Sequence, residues 1–150
     1  MTRDEFIKVL KDKGYEYELD GNKIIVVSYN SLVNLKSLTE IPPGVVFNND
    51  GVVDLGSLIE IPSGVVFNNR THVMLNSIES LPSDVVFKNG GSVWLNSLRN
   101  ISPGVNLEGI KDGVYLESLI GGWLHEWEGN LDELRSSRLF NLMINKGMFI

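Results

Sequence analysis

The sequence predicts a mainly β protein, a short β-solenoid of about five coils of twenty residues, with a helix plus hairpin capping its N-terminal end and a helix capping its C-terminal end. Two observations lead there. The middle of the chain aligns with itself every twenty residues: Ile41-Pro42-Pro43-Gly44-Val45-Val46-Phe47-Asn48-Asn49 is followed by Ile61-Pro62-Ser63-Gly64-Val65-Val66-Phe67-Asn68-Asn69 and then by Leu81-Pro82-Ser83-Asp84-Val85-Val86-Phe87-Lys88-Asn89. The 150 residues also include 15 Gly, 15 Asn and many Val but neither Ala nor Gln, a composition suited to turns and strands and poor in helix formers.

The N-terminal cap comes first. Thr2-Arg3-Asp4-Glu5 is a capping box, Phe6, Ile7, Val9 and Leu10 supply a helical apolar face, and Gly14 stops the helix. Tyr15 to Leu19 alternates as a strand, Asp20-Gly21-Asn22 turns, and Lys23 to Val27 returns into the first coil. That coil is a degenerate copy in which Ile25, Val27, Val33, Leu35, Ser37 and Leu38 stand at the repeat positions.

Within a full block, Val45 and Phe47 point to one face of a short strand, as do Val53 and Leu55. Asn48 to Gly51 turns between them, using Gly or Asn for positive φ, and Ile-Pro-x-Gly makes the second corner. One coil thus has two strands and two corners. One coil alone buries little, but stacking sets Phe47 on Phe67 on Phe87 and Leu55 on Leu75 on Leu95 in a continuous core. The columns Asn49, Asn69, Asn89 and Ser37, Ser57, Ser77, Ser97, Ser118 are expected to bond the backbone at the corners rather than to act chemically. The last copy runs from Ile101 to Leu119 with one residue inserted between Val105 and Val114. Gly121-Gly122 breaks the pattern, and Leu139, Phe140, Leu142 and Met143 form the apolar side of a C-terminal helix. The expected organisation is a single domain over 1–150, with caps at 1–23 and 120–150 around the repeats of 24–119.

The unit V-x-L-x-S-L-x-x-I-P-x-G-V-x-F-x-N resembles the short leucine-rich-repeat-like solenoid proteins of bacteria and phages over residues 24–119. It departs from the family's L-x-x-L-x-L-x-x-N unit, since its Asn follows Phe in the other strand, so the likeness lies in architecture more than in motif. The resemblance implies a non-catalytic scaffold that binds another protein.

No constellation of residues favours an enzyme, a cofactor or a metal. Without Cys there is no thiolate site, His72 and His125 are the only imidazoles, and the His125-Glu126-Trp127 segment has Gly129 where a zinc helix would carry its second His. His72 is expected on the surface. A net charge of −6 disfavours direct nucleic-acid binding, no apolar run approaches the roughly 18 residues of a membrane span, and no signal-peptide pattern is present. A cytoplasmic protein is expected, in the host cytoplasm if phage-encoded.

Binding is expected on outward positions, which the core leaves free to vary. On the V-x-L strand these are Asn34, Asp54, Met74, Trp94 and Tyr115, flanked by His72, Asn76, Asn96 and Glu117, with Trp123 and Trp127 continuing the ridge. Trp and Tyr dominate interface energetics, which makes this the first candidate face for a protein partner. On the other strand Val46, Val66 and Val86 form an outward stripe suited to self-association as a homodimer. The leading functional expectation is a phage or prophage inhibitor of a host protein, such as an anti-defence or anti-CRISPR factor; the alternatives are a self-assembling module and an acidic DNA mimic. The acids of the coils share one column only at Glu40 and Glu60, a weak pattern for mimicry.

Overall fold

A computed structural model describes residues 1–99, 104–107, 109–112 and 114–116 of the chain. The one helix among the described residues, α1 (Arg3–Asp12), begins at the expected capping box: the Glu5 amide donates to Thr2 Oγ1 at 3.2 Å and the Thr2 amide to Glu5 Oε2 at 2.7 Å. Phe6 and Leu10 are fully buried beneath it. Gly14 then takes φ +71°, a left-handed exit open to glycine without strain.

The hairpin follows as β1 (Tyr17–Asp20) and β2 (Lys23–Val26), paired antiparallel. Tyr15 stands outside β1 and serves the other sheet, where its hydroxyl accepts the Asn34 amide at 2.8 Å and covers an edge donor. From there the chain winds through β3 (Leu32–Asn34), β4 (Val45–Phe47), β5 (Val52–Asp54), β6 (Val66–Phe67), β7 (Val73–Met74), β8 (Val86–Phe87), β9 (Val93–Trp94) and β10 (Val114–Tyr115). The strands alternate between two five-stranded sheets, β1-β2-β4-β6-β8 and β3-β5-β7-β9-β10, parallel throughout except for the hairpin. The result is a β-solenoid of about four turns, each contributing a strand to both sheets; beyond them Asn106 bridges to Val86 and β10 pairs with β9. The β10 register, Val114 on Val93, accommodates the inserted residue of the last copy.

Between the sheets lie the inward columns. Phe47, Phe67 and Phe87 stack nearly parallel with ring centroids 5.4 and 5.2 Å apart. Opposite them Leu55, Leu75 and Leu95 are fully buried. Each such side chain contributes about 1.5–3 kcal/mol by leaving water, which makes the repeated inward positions the main source of stability. The Asn column joins the sheets at the turn, and Asn69 Nδ2 donates to the carbonyl of Gly51 in the preceding coil (3.2 Å) and to those of Thr71 and His72 in its own. In the Ser column, Ser77 Oγ donates to the Gly56 carbonyl at 2.6 Å.

Three local expectations need correction. In the first coil the inward residues are Ile24 and Val26, in register with Val45 and Phe47, while Ile25 and Val27 lie outward. The corner that follows is one residue longer than in the later coils, since Val26 pairs with Phe47 but Val33 with Val53, and a shift of one exchanges the two faces. Each coil also carries a third corner at L-x-S-L, closed by backbone bonds such as Leu58 N to Leu55 O at 3.0 Å. Finally, Gly51 does not supply positive φ; a Cβ there would sit 2.3 Å from the Ser31 carbonyl, so close stacking of coils is what demands glycine. The expected C-terminal cap at 120–150 lies outside the described residues.

Candidate functional site

The outward face of the β3-β5-β7-β9-β10 sheet brings one column of varied residues into register. Asn34 pairs with Asp54, Asp54 with Met74, Met74 with Trp94, and Trp94 with Tyr115. Parallel pairing without slippage sets each side chain above its predecessor, about 4.8 Å along the column.

The two ends of the column differ. At the N-terminal end the side chains turn back on their own chain: Asn34 Oδ1 accepts the Lys36 amide at 3.2 Å and Asp54 Oδ1 the Gly56 amide at 3.0 Å. At the C-terminal end the rings meet. His72 stacks on Trp94 at 5.5 Å with planes 26° apart, and Trp94 meets Tyr115 at 5.8 Å with a 47° tilt. Trp94 is half-buried between its neighbours, while Tyr115 is 51% exposed, leaving an aromatic surface that no described residue covers.

His72 is bound more firmly than a displayed surface residue. Its Nδ1 accepts the Ser92 amide at 2.9 Å across the coil boundary, beside buried Gly91 and Ser92. That bond occupies Nδ1 as an acceptor and, in the neutral imidazole, places the proton on Nε2. The sequence identifies His72 as an outward residue, but an imidazole bonding a backbone amide twenty residues away has no repeated precedent, since Leu32, Val52 and Ser92 hold the equivalent position. The signal available was that singularity alone.

Asn76 and Asn96 flank the column, both half-buried. Glu117, Trp123 and Trp127 lie outside the described residues, as does His125. On the opposite sheet Val46, Val66 and Val86 are in register and half-buried, and the shifted first strand adds Ile25 to their row, a residue the repeat alignment had assigned inward. Tyr29 and Ile59 are exposed singly, which needs no special account.

Among the described residues no three of His, Asp and Glu gather as metal ligands, and no helix is long and apolar enough to cross a membrane. Several coil acids pair with cations: Asp50 with Arg70 at 3.0 Å, Glu79 with Arg99 at 3.5 Å, and Glu40 with the N-terminal ammonium. No protein-family model, curated protein or solved structure matches the chain.

Proposed function

We propose that this protein is a leucine-rich-repeat-like scaffold of the short bacterial and phage type, which binds another protein through the V-x-L face and performs no catalysis. The observation that carries this reading is the His72–Trp94–Tyr115 ladder, a half-exposed aromatic surface built at positions the core does not constrain. Stacked rings held by a rigid sheet lose little side-chain entropy on binding, and Trp and Tyr contribute most at the centre of interfaces. Met74 adds an adaptable apolar contact beside Trp94. Pairing of Asp50 and Glu79 with arginines interrupts the negative rows a DNA mimic needs and favours a protein partner.

The role proposed is inhibition of a host protein from the cytoplasm by a phage or prophage product, of the anti-defence or anti-CRISPR kind. A scaffold small enough to occlude an active surface suits that role. Affinity capture from the lysate of a candidate host tests it: the wild-type chain retains a specific partner, and Trp94→Ala with Tyr115→Ala loses it while circular dichroism stays unchanged. Equal capture by the double variant refutes this choice of face.

A further inference from the structure

We infer that the opposite sheet is a homodimer face, on which a second copy packs about a two-fold axis parallel to the strands. Ile25, Val46, Val66 and Val86 form its central column, all half-buried and in register, with Glu18 before them on β1 and Asn106 after. Four β-branched residues in one outward row of a parallel sheet are more apolar than a solvated strand requires.

Charge at the rim selects both the occupant and the axis. Beside the column, one edge begins with Asp20 and Lys23, paired across the hairpin, and ends at Asp84, whose carboxylate accepts the Gly64 amide at 2.9 Å. The other edge begins with Glu16, bonded to Val27 through the backbone, and continues through the Asn48–Asn68 bond towards Lys88. Rotation about an axis parallel to the strands, passing between β4 and β6, lays the first coil of one copy on the fourth coil of the other. Val46 then meets Val66 of the second copy, Ile25 meets Val86, Lys23 meets Asp84, and Lys88 lies beside Val27 and Glu16. The competing rotation, about the solenoid axis, lays β1 on β1 and sets Glu16, Glu18 and Asp20 against the same three exposed acids.

The face is six rows high at about 4.8 Å each and three alternate residues wide, roughly 350 Å² per copy, which belongs to weak interfaces. A face of this size suits a weak, concentration-dependent dimer, in the range of about 100 µM or weaker. It leaves the aromatic ladders on its two outer sides and does not depend on their binding a partner.

Sedimentation equilibrium from about 10 µM to 1 mM tests the inference, with the wild-type mass expected to rise from one chain towards two. Val66→Asp, at the centre of the stripe, is expected to weaken association at least tenfold. Lys23→Glu and Asp84→Lys test the axis without touching the apolar residues. Each alone is expected to weaken the dimer, and the two together to restore it. Within one chain these residues are three coils apart, about 14 Å, so restoration reports contact between copies. A wild-type chain that stays monomeric at 1 mM overturns the proposal. So does a folded double variant without restored association, or restoration by Asp84→Lys with Lys88→Asp instead.

Discussion

The two sheets of the solenoid share an inward design and differ in what they show to solvent. In both, alternate residues bury an apolar side chain on an identical neighbour one coil away, as Phe67 does between Phe47 and Phe87 and Leu75 between Leu55 and Leu95. Outside, the first sheet keeps one kind of residue, an aliphatic row from Ile25 to Val86, whereas the second passes from Asn34 and Asp54 to Met74, Trp94 and Tyr115. Uniformity and variation on one scaffold separate two kinds of surface. A constant row suits contact with another copy of itself, and a varied column suits recognition of something else.

Breaking the inward design should have the largest effect. Phe67→Ala removes the middle ring of a fully buried stack and is expected to cost about 3–5 kcal/mol, and Leu75→Ala on the facing sheet about 2–5 kcal/mol, both read by urea unfolding. If either loss stays below about 1 kcal/mol, the two sheets do not share a common core. An intermediate effect should come from the turn that joins them. Asn69→Ala removes three backbone contacts, while the Gly51, Thr71 and His72 carbonyls keep the Asn49 and Asn89 amides and the Val53 N–H as donors, so the expected loss is about 1–2 kcal/mol by the same measurement.

The smallest effect lies outside both sheets and sets a baseline for the comparison. The hydrogen bonds from Thr2 hold the Glu5 carboxyl below the usual carboxylate range. A carboxylate depressed on folding stabilises the fold above its unfolded pKa, and that contribution disappears as pH falls through the folded value. Glu5→Ala should therefore lower the melting temperature slightly at neutral pH, and the difference from wild type should shrink on acidification from about pH 5 to pH 3. A difference that grows instead contradicts the capping box as its source.

How much of this was legible in the sequence follows from the repeat. Identical residues at a fixed spacing identify which positions stack, so the Phe, Leu and Asn columns and the outward order from Asn34 to Tyr115 are readable without coordinates. The first coil is where the repeat is degenerate, and there the alignment set Ile25 and Val27 inward. The longer corner between Val26 and Val33 sets the register otherwise, placing Ile24 and Val26 in the core and Ile25 in the aliphatic row. The same holds for His72, whose outward position the period indicates but whose bond to Ser92 and stacking on Trp94 it does not.

By itself, then, the sequence determined the coil, its period and its inward columns, because burial of identical side chains leaves a signal in every repeat. Only the tertiary structure decided the one-residue register of the first strand, the need for glycine at position 51 and the tie between His72 and Ser92. Each of these depends on contact with a neighbouring coil and is set by distances of a few ångströms that periodicity does not encode.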